Sequence, residues 1–143
     1  MNDLHLTVIG TGYVGLVSAA CFAHLGHTVV GVDADTAKVR ALQRGAMPIF
    51  EDGLQPLVAR EMQSGRLRFT ADLADGLAGA DLVVVAVGTP AGTDGATDLG
   101  ALQRVVEDIG LALEHPAVLV IKSTGPPGPA GGVGLPLHGA GAP

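Results

Sequence analysis

The chain has 143 residues, 48% of them hydrophobic and 3% aromatic, with one cysteine, no tryptophan and a formal net charge of −6. That length holds a single domain with an adequate core, and the acidic balance argues against nucleic acid or an anionic membrane as the main partner. No apolar run approaches the ~20 residues of a membrane span, no leader pattern opens the chain, and one thiol makes no internal disulfide, so a reducing cytoplasm is the expected compartment.

Leu6-Thr7-Val8-Ile9 is an apolar run of strand length, and Gly10-Thr11-Gly12-Tyr13-Val14-Gly15 follows it directly. A helical stretch from Tyr13 to Leu25 comes next, then a second apolar run, Thr28 to Val32, ending at Asp33. Strand, glycine turn, helix, strand and acid is the order needed to hold a dinucleotide. Gly10 allows the tight turn, Gly12 lets the backbone approach a pyrophosphate, and Gly15 lets the helix pack on the strand. The helix start offers unpaired N–H groups and a partial positive charge to the phosphates. Asp33, at the tip of the second strand, can accept from both ribose hydroxyls and would repel a 2′-phosphate. NAD rather than NADP is therefore the expected cofactor. A P-loop is excluded, because Leu16 and Val17 stand where Lys and Ser/Thr would be required.

The first helix is apolar on nearly every side, with Leu16, Val17, Ala19, Ala20, Phe22, Ala23 and Leu25. One stripe suffices to cover a sheet, so another domain or subunit is expected against its outer side. Asp35 as cap and Gly45 as stop bracket a second helix, with Val39 and Leu42 inward. A loop from Met47 to Gly53 leads to a short helix with Leu54, Leu57, Val58 and Met62 inward. Leu67 to Thr70 reads as a strand, and Asp72 to Gly79 as a brief helix burying Leu73 and Leu77. Leu82 to Val87 is an unbroken apolar strand of the kind covered on both faces. After a glycine-rich loop from Gly88 to Thr97, Asp98 can cap a helix in which Leu99, Leu102, Val106, Ile109 and Leu113 recur at three and four. Ala117 to Ile121 is the last strand.

Gly125 to Pro143 contains no Asp, Glu, Lys or Arg and is mostly Gly, Pro and Ala, too little large apolar surface to offset its ordering entropy. The expected class is therefore α/β: a single domain over residues 1–124 with a Rossmann-type doubly wound parallel sheet, followed by a disordered tail over 125–143. In that topology Thr89, after the fourth strand, and Thr124, after the fifth, reach the same rim as the glycine turn. No metal site is expected, since the five histidines lack ligand spacing and Asp94 and Asp98 do not make a calcium loop. Cys21, inside the first helix, reads as a small buried hydrophobe rather than a nucleophile.

Beyond the glycine turn, further blocks occur in order: Gly31-Val32-Asp33 with Lys38, Pro48-Ile49-Phe50-Glu51, Gly65-Arg66-Leu67-Arg68-Phe69-Thr70, Val87-Gly88-Thr89-Pro90, Asp98-Leu99 and Lys122-Ser123-Thr124. Together with Val8 to Ser18 they resemble the start of the UDP-glucose/GDP-mannose dehydrogenase family. Thr11 and Leu16-Val17-Ser18 are more similar to its UDP-glucose branch than to the GDP-mannose or UDP-N-acetylmannosamine branches. The resemblance implies a four-electron, NAD-dependent oxidation of UDP-glucose at C6 to UDP-glucuronate, in a full-length form that is a homo-oligomer. It assigns Gly10 to Gly15 to the cofactor, Asp33 and Lys38 to the adenosine ribose, Thr89 to the cofactor, and Thr124 to the nicotinamide and the catalytic water.

The departures are specific. Asp52 stands where the family usually has Pro, and Gly125 and Pro129 break the pattern that follows Thr124. The family's glutamate-bearing segment, bridging helix, substrate domain and cysteine nucleophile have no counterpart, so the resemblance implies a cofactor-binding half that does not turn over alone. The competing reading is a non-catalytic NAD-binding fragment. A dehydrogenase of the hydroxyacyl or phosphogluconate type would share the glycine turn but not the Pro48–Glu51 and Lys122–Thr124 blocks.

Overall fold

A computed structural model describes residues 3–48, 51–87 and 100–122. Five strands, β1 (His5–Ile9), β2 (Thr28–Val32), β3 (Leu67–Thr70), β4 (Leu82–Val85) and β5 (Val118–Ile121), form one sheet in the order β3-β2-β1-β4-β5. Every neighbouring pair is parallel. Parallel neighbours need crossovers, which α1 (Tyr13–His24), α2 (Thr36–Gln43), α3 (Leu54–Gln63), α4 (Leu73–Leu77) and α5 (Gly100–Ala112) accompany. The register aligns Ile9 with both Val32 and Val85, and Val85 with Ile121. The carboxyl ends of these four strands therefore lie on one rim. The chain moves outward from β1 to β3 and restarts at β4 on the other side, so β1 and β4 flank the switch point where such sheets bind ligands.

Alternation along the strands divides the core in two. Leu6, Val8, Val29, Phe69 and Val84 face α1, α2 and α3, while Ile9, Val32, Val83 and Val85 face α4 and α5. The doubly wound sheet inferred from the apolar runs is the one observed. The caps follow too: Asp35 accepts from the backbone N–H groups of Ala37 and Lys38, and Asp72 from those of Ala74 and Asp75. Gly45 ends α2 with φ of +86°.

Three details differ from expectation. The fourth strand stops at Val85, and Ala86 and Val87 run on to the rim. The surplus apolar surface of α1 is met in part within the domain, because α3 lies against it and Val17 and Phe22 pack on that core. Leu25 stays exposed. Cys21 is exposed rather than buried. It falls one residue, about 100° of helix rotation, beyond the buried stripe of Leu16, Ala19, Ala20 and Ala23. Thr89, Asp98, Leu99, Thr124 and the 125–143 segment lie outside the described residues.

Candidate cofactor site

The site is built at the end of β1. Gly10 turns the chain with φ of +97°, and its N–H donates to the carbonyl of Val32 at 2.7 Å. A side chain here would be strained, and its Cβ would stand 2.9 Å from the carbonyl oxygen of Ala86. Gly15 is closed by a different contact: a Cβ there would overlap the carbonyl oxygen of Gly10. Gly12 is the opposite case. Its φ of −74° suits any residue, yet nothing lies within 4 Å of where its Cβ would be. Two glycines of the turn are needed for packing, and the third faces open space.

That space adjoins the start of α1. Asp35 and Asp72 cap α2 and α4, whereas α1 and α3 start at Gly12 and Gly53 with no side-chain cap and no acid in the first turn, and of these two glycines Gly12 lines the cleft. A helix start without a side-chain cap or carboxylate suits a phosphate group, which the N–H groups and the dipole favour.

Asp33 lies 22 residues along the chain but beside the turn. Its Oδ2 accepts from the N–H of Thr11 at 3.0 Å and from the Thr11 hydroxyl at 2.7 Å. Its Oδ1 accepts from the N–H of Asp35 at 3.0 Å, and the Lys38 ammonium stands 3.5 Å from Oδ2. Burial works against the charged form of Asp33. The donors on Asp35 and Thr11 and the charge of Lys38 outweigh it and hold the carboxyl below the usual aspartate value. The group is ionised at neutral pH, oriented, and partly accessible.

These residues line a cleft of about 450 Å³. Gly10, Thr11, Gly12, Asp33 and Lys38 are brought together there, whereas Tyr13, Val14 and Gly15 belong to the first turn of α1 and do not line it. The Tyr13 side chain is exposed, and the negative charge of Glu51 raises the phenol above its ordinary value. The cleft also has an apolar wall that sequence reasoning missed: Ala71 and Leu73 beyond β3, Ala86 and Val87 beyond β4, and Val105 of α5, with Asp108 at its margin. For Ala71, Ala86 and Val87 the one sequence signal is position just after a strand, which identifies a rim residue only once the strand order is known. Among the described residues, no three His, Cys, Asp or Glu side chains gather as metal ligands would.

Residues 4–138 match the family model of the UDP-glucose/GDP-mannose dehydrogenase family, NAD binding domain. The chain is 49% identical over 127 residues to UDP-glucose 6-dehydrogenase of Pseudomonas aeruginosa, an alignment covering 89% of this chain and 28% of that protein. Among solved structures it resembles a ternary complex of GDP-mannose dehydrogenase from Pseudomonas aeruginosa, with a TM-score of 0.85 and 35% identity over 96% of this chain and 32% of the other. It also resembles a UDP-glucose dehydrogenase from Pyrobaculum islandicum, with a TM-score of 0.83 and 38% identity over 89% of this chain and 30% of the other. The chain thus spans under a third of the length of these relatives. It belongs to the UDP-glucose/GDP-mannose dehydrogenase family, as the NAD-binding domain, and its cofactor is NAD.

Proposed function

We propose that this chain is the cofactor-binding part of an NAD-dependent UDP-glucose 6-dehydrogenase, which oxidises UDP-glucose to UDP-glucuronate. The observation that carries the reading is the Asp33 carboxylate, ionised and fixed beside a glycine turn whose helix start has no side-chain cap. In this reading the Gly10–Gly15 turn, including the backbone of Tyr13 and Val14, holds the pyrophosphate. Asp33 and Lys38 hold the adenosine ribose, and the wall of Ala71 and Leu73 excludes water from the base. Bound NAD supplies the hydride acceptor. Thr89 would contact the cofactor and Thr124 would lie near the nicotinamide, where its hydroxyl, a donor and acceptor without charge, would orient the catalytic water. The UDP-glucose branch is favoured by the higher identity to a UDP-glucose enzyme than to the GDP-mannose structure.

The same proposal places the full-length protein in the cytoplasm as a homo-oligomer acting on a nucleotide sugar. The single thiol supports that compartment, and no helix among the described residues is long and apolar enough to cross a membrane. Calorimetric titration tests the core of the reading. NAD should bind better than NADP, and Asp33→Ala should weaken NAD by about 1–3 kcal/mol through lost hydrogen bonds to a charged acceptor. Equal NAD affinity for parent and variant, or tighter NADP binding to the parent, would sink the assignment.

A further inference from the structure

We infer that Thr11 is a positioning residue: its buried hydroxyl aims the Asp33 carboxylate so that Oδ1 is left as the acceptor for the ribose. The inference deepens the cofactor role proposed above and rests on it. Each carboxylate oxygen has two lone-pair sites. Oδ2 already meets three donors, the Thr11 N–H at 3.0 Å, the Thr11 hydroxyl at 2.7 Å and the Lys38 ammonium at 3.5 Å. Oδ1 takes one bond, from the Asp35 N–H, and keeps one site. A ribose hydroxyl is therefore received at Oδ1, and the two carboxylate oxygens serve the ribose asymmetrically. The Lys38 ammonium, 3.5 Å from Oδ2, lines the cleft as a donor for the second hydroxyl.

The geometry of Thr11 is set from two sides. The residue is 1% exposed, and its methyl group lies 3.5 Å from where a Cβ on Gly31 would stand, beside the Phe69 ring that fills the space over this glycine of β2. A β-branched side chain has few χ1 choices, and packing the methyl directs the hydroxyl to Asp33. Since an ionised carboxylate only accepts, Thr11 donates, and that proton is not free for the cofactor. The turn and the acid thus act as one unit, and Thr11 reaches the ribose through Asp33. The charged residues around that carboxylate include Lys38 of α2 and Asp35 at its cap, and Asp108 from α5 lines the same cleft.

Thr11→Val keeps the shape and removes the hydroxyl, whereas Thr11→Ser keeps the hydroxyl and removes the methyl. Two readings are made on the full chain: the Asp33 carboxyl titration followed by carbon-detected NMR without cofactor, and NAD affinity by calorimetry. The Val variant should titrate Asp33 at higher pH and bind NAD about tenfold more weakly, while the Ser variant stays near the parent in both. Thr11→Ala, which adds no atom the parent lacks, is read in the same way if Val crowds the carboxylate. An unchanged titration and affinity in the Val and Ala variants would overturn the inference. So would a Ser variant as impaired as Val, which would assign the effect to methyl packing. A parent that fails to bind NAD would instead defeat the proposed function, and the titration would still decide whether Thr11 sets Asp33.

Discussion

The α-carbon of Gly15 sits against the carbonyl oxygen of Gly10, so closely that a methyl group on it would overlap that oxygen. This contact draws the first turn of α1 onto the end of β1 and aims the helix start at the cleft. Gly12, between them in sequence, makes no comparable contact. Gly15 and Gly12 should therefore separate in experiment. Gly15→Ala should lower stability by about 1–3 kcal/mol or more, because backbone must move to relieve the overlap. Gly12→Val should melt close to the parent yet lose NAD, since its side chain would fill the space assigned to the pyrophosphate. Thermal melts and NAD titrations on both variants decide this, and retained NAD affinity in Gly12→Val would make the turn merely structural.

Glu61 is 1% exposed on α3, with its carboxylate 3.1 Å from Arg66 Nε and 3.7 Å from His24 Nδ1. A buried carboxylate without its cation is costly, whereas a well-packed apolar replacement is tolerated. Arg66→Ala should therefore destabilise the domain by about 1–3 kcal/mol, below the ~3–5 kcal/mol of a fully buried pair because Arg66 itself is half exposed. Glu61→Leu should be milder than Arg66→Ala. Urea melts that rank the two the other way would remove the ion pair from the account of α3 docking.

Two carboxyls give the fold an acid limb. Asp33 is held below its ordinary value because its hydrogen bonds and Lys38 outweigh burial, and Asp75 because Arg68 and Thr70 donate to it. A depressed folded value contributes stability that is present above the unfolded value, about 3.9, and lost as pH falls through the folded one. Asp75 is nearly half exposed and contributes the smaller share. Urea midpoints should thus be level near neutral pH and drop below about pH 4, with a shallower drop in Asp33→Asn. An Asn variant that follows the parent throughout would contradict the role given to Asp33.

The 143-residue chain by itself should not oxidise UDP-glucose. The reaction implied by the resemblance needs a thiolate to capture the aldehyde as a thiohemiacetal, within reach of the reacting carbon. The one cysteine, Cys21, is exposed on α1 and does not line the cleft. Absorbance of reduced cofactor, followed with purified chain, NAD and UDP-glucose, should stay flat. Steady turnover that survives Cys21→Ser would show that no cysteine-bearing partner domain is needed.

The sequence by itself determined the local chemistry of this domain. The apolar runs of β1, β2 and β4, the Asp35 and Asp72 caps, the stop at Gly45 and the Gly10–Gly15 turn all depend on neighbours a few residues away, so their residue types suffice to identify them. Asp33 was legible for the same reason, as the acid ending a strand that follows the turn. Only the tertiary structure decided what lies across the sheet. The order β3-β2-β1-β4-β5 brings Ala71 and Leu73 to the cleft and closes Thr11 onto Asp33. The same packing leaves Cys21 on the surface and buries Glu61, whose place three residues after Val58 puts it in the apolar stripe of α3. Helical and strand periodicities record which face a residue occupies on its own element. They carry no information about which distant group meets that face, because that choice is made by the packing of the whole sheet and its helices.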